Sequence, residues 1–339
     1  MASLSVEKFS VATNTRGVPL IAVGKRYTRS SPTLQPASSR PAGAALLFVH
    51  GTGFHKEIWE PTIAALFEAD EQHAVYEAWA VDCQNHGESA VANEKQLFEH
   101  PQLIDIWEYA NALATFRRDL IRQEKVIVVA HSAGAVAGVL VTMFFNPPNR
   151  IPFSSIVLVE PPLFTKDMYQ LHKTPMYAAV ATMTPLRRDI WASHKAAKDW
   201  LMKRPPWSSW SEDALESYVT YGLRKLPTAH YPDKQGVTLC CIKEDEAQAY
   251  ASGDEDFDAL WRLNQICQKL PVHVIWAEVD DLFSKELKDS IADPSQGRDF
   301  ASITRVAESG HMVPQERPKL LGKAVLAIVR GTPSRVHKL

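Results

Sequence analysis

Cysteine is scarce in this chain, and neither one charge sign nor a long apolar run dominates it. The four cysteines among 339 residues, Cys83, Cys240, Cys241 and Cys267, match neither zinc-ligand spacing nor a disulfide framework. The formal net charge of −2 does not favour nucleic acid or an anionic membrane surface as a partner. No apolar run reaches the roughly 18 residues of a transmembrane helix, so we expect no stable membrane insertion.

The two ends of the chain suggest where it works. Residues 1–8 lack the basic start and apolar centre of a signal peptide, which with the free cysteines predicts a reducing compartment. The ending His337-Lys338-Leu339 resembles the peroxisomal address Ser-Lys-Leu with its first residue replaced. Two locations stay open: the peroxisome, reached through an import receptor that reads the C-terminus, and the cytoplasm. The sequence also leaves open whether the protein forms a homodimer.

Strand-like apolar runs alternate with helical periodicity along most of the chain. Such alternation predicts a mostly parallel sheet with helices on both faces. Residues 163–268 lack the alternation and contain five tryptophans, so we expect a largely helical cap over the sheet. These tryptophans form either an apolar wall of a pocket or the cap's own core. The predicted organisation is a core from 1–162 and 269–332, a cap insertion at 163–268, and a tail at 333–339.

A strand-like run ends at Ser132 and gives way to small residues. Ala130-x-Ser132-x-Gly134 is close to the Gly-x-Ser-x-Gly nucleophile elbow, a tight strand-to-helix turn that exposes a serine hydroxyl. The turn needs small residues on both sides of the serine because the backbone segments approach each other there. Ala130 adds only one methyl group to that pattern. An ordinary serine N-cap is the alternative interpretation.

Polar side chains follow the predicted strands, and parallel strands collect such groups at one edge of a sheet. They are His50, Asp82, His86, Ser132, Glu160, Asp280 and His311. A serine becomes a nucleophile when a base accepts its proton and a carboxylate orients that base. Asp82 and His86, with Ser89, are expected to brace their own loop rather than to react.

Four motifs in order resemble the α/β-hydrolase superfamily over essentially the whole chain. They are His50-Gly-Thr-Gly53, Asp82-x-x-x-His-Gly-x-Ser89, Ala-His-Ser132-Ala-Gly and Ser309-Gly-His311-Met-Val-Pro. More narrowly, Asn85-His-Gly-Glu-Ser, the Pro-rich start of the insertion and the Lys-Leu ending resemble fungal peroxisomal lipase-like and toxin-biosynthesis hydrolases. The resemblance implies an α/β-hydrolase fold with an eight-stranded sheet and a helical cap, and no cofactor or metal.

The resemblance also implies a catalytic triad. Ser132 is the expected nucleophile and His311 the general base, since imidazole titrates near neutrality. Asp280 matches the position of the family's acid, in the chain order Ser, Asp, His. Glu160, which ends the strand after the elbow helix, is the alternative acid. Asp281 is expected to cap the helix that follows.

An oxyanion hole is the remaining part of the expected site. The backbone N–H of Ala133, the residue after the nucleophile, supplies one donor. The resemblance places the second donor on Thr52, with Gly53 as the alternative. These residues complete the set that the sequence predicts for acyl chemistry.

We therefore predict a serine hydrolase, lipase- or esterase-like, that cleaves an ester or thioester of a small hydrophobic acyl substrate through an acyl-enzyme. An acyltransferase, a cyclase or a C–C hydrolase of fungal secondary metabolism would keep the same triad, because fold does not fix function. A non-catalytic ligand-binding protein that kept the fold is a third hypothesis. Arg187-Arg188 and Lys203-Arg204 either contact an anionic substrate group, such as a CoA phosphate, or form a solvated face.

Overall fold

The computed structural model describes residues 4–30, 43–145, 150–250 and 254–332. Within these ranges the strands are β1 (Leu4–Thr15), β2 (Val18–Arg29), β3 (Ala44–Val49), β4 (Val75–Val81), β5 (Val126–His131), β6 (Ser155–Val159), β7 (Ile190–Trp191), β8 (Leu223–Lys225), β9 (Val237–Leu239), β10 (Val272–Ala277) and β11 (Ser302–Val306). The predicted tail 333–339, with its His337-Lys338-Leu339 ending, lies outside the described residues.

The α-helices of the same ranges are numbered in chain order. They are α1 (Glu60–Ala69), α2 (Gly87–Ala92), α3 (Glu94–Glu99), α4 (Ile106–Asp119), α5 (Ala133–Leu140), α6 (Lys166–Met168), α7 (Thr174–Met183), α8 (His194–Leu201), α9 (Glu212–Tyr221), α10 (Lys243–Gln248), α11 (Asp254–Ile266), α12 (Lys285–Ser290), α13 (Val313–Glu316) and α14 (Pro318–Val329). Helix α4 begins where the Asp105 side chain accepts a hydrogen bond from the Glu108 N–H, a typical N-cap.

Eight strands form one sheet in the order β1-β2-β4-β3-β5-β6-β10-β11. The β1–β2 and β2–β4 pairs are antiparallel, and the remaining pairs are parallel. The predicted mostly parallel, eight-stranded α/β-hydrolase fold is therefore confirmed. Because parallel strands run in the same direction, the residues that follow β3, β5, β6, β10 and β11 meet at one edge of the sheet.

The central strands are apolar throughout because helices cover both faces of the sheet. Side chains alternate between the faces along a strand. Leu47 and Val128 belong to a core shared with α4, α5 and α11. Leu46 and Val129 belong to a second core that contains residues of α1 and α14. This two-sided burial explains why the strands show no polar–apolar alternation.

The predicted cap also contains strands. β7, β9 and β8 form a small antiparallel sheet inside the insertion. Trp191, Trp207 and Trp210 are buried in the same core as α1 and α14, so these tryptophans belong to the cap's own core and its junction with the sheet. Helix α11, which we assigned to the insertion, instead contributes Leu263 and Ile266 to the core around α4 and α5.

Candidate active site

Ser132 occupies a strained turn between β5 and α5. Its φ of 54° and ψ of −129° lie outside the regions that a residue with a side chain normally adopts. The turn is possible because Gly134 has no side chain: a Cβ there would lie 2.4 Å from the His50 carbonyl oxygen. A Cβ on Gly138 would lie 2.8 Å from the methyl group of Ala130, so Gly138 makes room for the alanine of the motif. Ser132 makes no side-chain cap bond, which disfavours the N-cap interpretation.

His311 lies between Ser132 and Glu160 at the carboxyl edge of the sheet. Its Nε2 is 3.0 Å from Ser132 Oγ, and its Nδ1 is 3.1 Å from Glu160 Oε2. A carboxylate accepts hydrogen bonds only, so this contact assigns the proton to Nδ1 and leaves Nε2 to accept from the serine. Glu160 is fully buried, and its φ of 47° shows that it too is held in a strained conformation.

The structure corrects the expectation that Asp280 orients His311. Asp280 Oδ1 lies 2.9 Å from Lys288 Nζ, and the side chain is one-third exposed. Glu160 takes the position behind the histidine because it follows β6, which pairs with β10. From there Glu160 Oε1 accepts a 2.6 Å hydrogen bond from the Ala277 N–H at the end of β10. The alternative acid of the sequence analysis is thus the one that contacts His311.

Asp281 holds the backbone of the histidine loop. Its Oδ1 accepts a 2.8 Å hydrogen bond from the His311 N–H. His131 Nε2 lies 2.9 Å from the His311 carbonyl oxygen, and burial lowers the pKa of His131 to about 3, so this ring is neutral. Asp281 does not cap α12 as expected, because Ser284 accepts the capping bond there. Sequence reasoning missed the role of Asp281, although Ser284 was visible as the better cap.

The predicted oxyanion donors lie beside the serine. Ala133 is the first residue of α5, where a backbone N–H has no acceptor within the helix. The loop after β3 comes close to the serine: a Cβ on Gly51 would lie 3.1 Å from Ser132 Cβ. The Gly53 N–H already donates to His86 Nε2 at 3.0 Å, which leaves Thr52 as the candidate for the second donor.

His86, which was expected to brace its own loop, instead contacts the loop after β3 and connects it to the cap. Burial lowers the pKa of His86 to about 3, so the ring is neutral. Its Nδ1 donates to Asn85 Oδ1 at 2.7 Å, which leaves Nε2 free to accept from Gly53. Asn85 Nδ2 in turn donates to Asp245 of α10 at 3.4 Å. Burial raises the pKa of the Asp245 carboxyl to about 6.

A cavity of about 390 Å³ opens onto Ser132 and is lined by Thr52 and Ala133 as well. Its apolar wall is Ile104, Ile106, Val136, Pro162 and Ala249, and its polar wall includes Asp105, Tyr177, Asp245, Gln248 and Tyr250. The buried cap tryptophans are not among the described residues that line it. The cavity therefore offers mixed surroundings rather than the apolar wall that the tryptophans suggested.

Arg187 is not available to bind a phosphate. Its guanidinium forms a two-point ion pair with Glu246 of α10, with an Nη1–Oε1 distance of 2.9 Å. This ion pair raises the pKa of Arg187, although burial opposes it. Arg188 and Arg204 are exposed and lie over the ring of Trp200. Arg187 is thus paired within the protein, whereas Arg188 and Arg204 lie on a solvated face.

Within the described residues there is neither a metal-binding group nor a membrane-spanning helix. No group of three or more His, Cys, Asp or Glu residues within these ranges could hold a metal ion. No helix of the same ranges is long and apolar enough to cross a membrane.

The sheet order, the serine turn after β5 and the histidine after β11 define the α/β-hydrolase class. A model of the Alpha/beta hydrolase family matches residues 46–324, and the chain belongs to this family.

Two curated relatives align with part of the chain. The type I acyl-CoA thioesterase mpaH of Penicillium roqueforti (strain FM164) is 25% identical over 224 residues, which cover 63% of this chain and 46% of that protein. The peroxisomal membrane protein LPX1 of Saccharomyces cerevisiae is 30% identical over 125 residues, which cover 36% of this chain and 31% of that protein. The chain thus spans less than half the length of either relative.

Solved structures share the fold. The peroxisomal alpha-beta-hydrolase Lpx1 of Saccharomyces cerevisiae superposes with a TM-score of 0.72 at 16% identity, covering 100% of this chain and 93% of that one. The thioesterase domain from the curacin biosynthetic pathway superposes with a TM-score of 0.61 at 15% identity, covering 96% of this chain and 99% of that one. At these identities the likeness concerns the fold alone.

Proposed function

We propose that this protein is a serine hydrolase that cleaves an ester or thioester of an acyl substrate. The observation that carries the proposal is the arrangement of His311, with Nε2 3.0 Å from Ser132 Oγ and Nδ1 3.1 Å from Glu160 Oε2. Such an arrangement activates a serine, and here the serine faces a cavity. The relative mpaH is an acyl-CoA thioesterase, which supports the same reaction class.

The reaction follows from these positions. His311 Nε2 takes the proton of Ser132 Oγ as the oxygen attacks the carbonyl carbon, and Glu160 stabilises the imidazolium that forms. The Ala133 and Thr52 N–H groups donate to the oxyanion. The imidazolium then protonates the leaving oxygen or sulfur, and an acyl-enzyme remains. A water molecule, deprotonated by His311, adds to the acyl carbon and releases the acid and free Ser132.

The cavity indicates what kind of acyl group fits. Its walls combine aliphatic side chains with tyrosine, amide and carboxyl groups. A purely hydrocarbon chain would displace the water that solvates these polar walls without replacing its hydrogen bonds, which costs binding free energy. We therefore propose an acyl group that carries polar substituents alongside its hydrophobic part. This class is more polar than the hydrophobic acyl substrate expected from the sequence.

Labelling by a fluorophosphonate tests the nucleophile directly. Wild-type protein is expected to react once, at Ser132, because the reagent needs an activated serine next to an oxyanion hole. Ser132→Ala should abolish labelling, and Ser208→Ala, at an exposed serine of the cap, should leave it unchanged. Labelling that survives in Ser132→Ala would overturn the assignment.

A panel of p-nitrophenyl esters, triacylglycerols and acyl-CoAs then separates the reaction types. Hydrolysis of an ester or thioester by protein that also reacts with the fluorophosphonate supports the proposal. Protein that reacts with the fluorophosphonate and hydrolyses none of them would point to acyl transfer, cyclisation or C–C cleavage instead.

We also propose a peroxisomal location. The relative LPX1 is a peroxisomal membrane protein, and residues 337–339 resemble a peroxisomal address; both support the proposal. A fluorescent protein fused to the N-terminus should co-localise with a peroxisomal marker, and deletion of residues 337–339 should release the fusion to the cytoplasm. Cytoplasmic fluorescence from the intact fusion would contradict this proposal.

A further inference from the structure

Lys288 of α12 is a fully buried cation next to the carboxylate that contacts His311. Its Nζ lies 3.0 Å from Glu160 Oε1 and 2.9 Å from Asp280 Oδ1, and its side chain has no exposed surface. The ring of Trp276 covers it, with its centroid 5.6 Å from Nζ. Removing an ammonium group from water is costly unless opposite charges compensate. Two carboxylates on either side supply that compensation.

The two oxygens of Glu160 have separate partners. Oε2 faces His311 Nδ1, whereas Oε1 accepts from the Ala277 N–H and faces the Lys288 ammonium. The contacts at Oε1 oppose rotation of the carboxylate, so Oε2 stays in the direction of the imidazole ring. Asp280 holds the ammonium from its other side. Asp280, the acid that was expected to contact His311, is thus connected to that histidine through Lys288 and Glu160.

On this geometry, and resting on the proposed function of Ser132, we propose that Lys288 is a positioning residue. Together with Asp280 it holds the Glu160 carboxylate against His311. Lys288 acts through Glu160 and contacts neither Ser132 nor His311 within the described part of the chain.

Four other charged or titratable groups lie around this cluster. They are His311 after β11, Arg305 on β11 at 3.5 Å from Asp280, Asp281 at the backbone of His311, and the neutral His131 at the end of β5. The cations Lys288 and Arg305 thus oppose the carboxylates Glu160 and Asp280. The imidazolium of His311 that forms during the reaction adds a third positive charge beside these two carboxylates.

The direction of each effect follows from these contacts. In Lys288→Met, Glu160 Oε1 keeps the bond from the Ala277 N–H but loses the ammonium, so the carboxylate can rotate and its hydrogen bond with His311 Nδ1 is expected to weaken. Asp280→Asn removes one of the two carboxylates that hold the ammonium, so a smaller weakening is expected. A lysine that served packing alone would leave this hydrogen bond unchanged.

The test follows the NMR signal of the His311 Nδ1 proton, which lies in the hydrogen bond to Glu160, in the full-length protein, together with kcat and KM on a p-nitrophenyl ester. In Lys288→Met the Nδ1 proton signal should move upfield, because its hydrogen bond to Glu160 weakens, and kcat should fall about 10²-fold through misplacement of Glu160. Lys288→Arg should restore most of both. Lys285→Met, on the same helix at an exposed lysine paired with Asp289, should match the wild type.

The two readouts separate this inference from the proposed function. An unchanged His311 Nδ1 proton signal in folded Lys288→Met overturns the inference, whether or not the protein hydrolyses an ester. If Lys288→Met does not fold, an unchanged signal in Asp280→Asn overturns it, because Asp280 is partly exposed and tolerates the change. A signal that moves in Lys288→Met, alongside a wild type that shows neither labelling nor hydrolysis, would support the positioning role and refute the proposed function.

Discussion

The two carboxylates near His311, Glu160 and Asp280, differ in their surroundings, and this difference indicates different roles. Glu160 is buried, and its pKa lies below the ordinary value for a glutamate. Burial alone would raise this pKa, but the hydrogen bond and charge of His311 and the charge of Lys288 together lower it by more. Asp280 is one-third exposed and faces Lys288 and Arg305. At the scale of single residues, contact with the imidazole therefore distinguishes Glu160 from its more distant neighbour Asp280.

Glu160→Gln should cost much more activity than Asp280→Asn. A neutral amide cannot stabilise the imidazolium and can favour the wrong tautomer, and the equivalent change in a serine triad costs about 10⁴-fold in kcat. Asp280→Asn leaves the Glu160–His311 contact intact, so we expect a loss of less than about tenfold. The measurement is kcat/KM at pH 8 on one ester, with thermal melting as the control for folding. Equal losses in the two variants would contradict the assignment of Glu160.

Helix α5 and strand β5 show how two elements share the space of one methyl group. The elbow motif is usually written with glycine before the serine, and this chain has Ala130 there. Gly138 compensates, because a Cβ on it would lie 2.8 Å from the Ala130 methyl group. The pair could be identified in the sequence as small residues but not as neighbours, since the contact depends on how the helix crosses the strand.

Gly138→Ala should destabilise the protein even though alanine favours helix. Helix propensity would contribute about 1 kcal/mol of stabilisation, whereas overpacking costs about 1–3 kcal/mol, so we expect a net loss in the free energy of unfolding. The double variant Ala130→Gly with Gly138→Ala moves the methyl group from strand to helix and should recover most of that loss. Urea unfolding of the two single variants and the double variant measures this coupling. Additive effects would show that the two positions do not compete for space.

Across the whole molecule, several histidines are buried in their neutral form. Burial lowers the pKa of His86 and His131 to about 3 and that of His273 to about 4, and it also lowers the pKa of His50. In the unfolded chain the same groups titrate near 6.5. Below that pH the unfolded state binds protons that the folded state does not, so stability is fully present above pH 6.5 and falls as the pH falls towards 4.

The melting temperature is therefore expected to fall steeply between pH 7 and pH 4. His273 lies away from the serine, where its Nδ1 contacts Ser302 Oγ at 2.8 Å, so it can be changed without altering the site. His273→Gln should flatten the pH dependence, because glutamine does not titrate. His100→Gln, at an exposed histidine, serves as the matched control and should leave the profile unchanged. A profile for His273→Gln that parallels the wild type would refute this explanation.

The sequence by itself determined the class of the fold, and it singled out Ser132 and His311, which the structure brings within 3.0 Å of each other. Continuous apolar runs indicate strands buried on both faces, and the small residues around Ser132 indicate a tight turn, because these features depend on neighbouring residues. Tertiary structure decided which carboxylate contacts His311, and brought Lys288 between Glu160 and Asp280. Distances between residues 151 positions apart depend on strand pairing and on the space at the strand ends. A local pattern contains neither, so two equally acidic side chains could not be distinguished until the sheet was assembled.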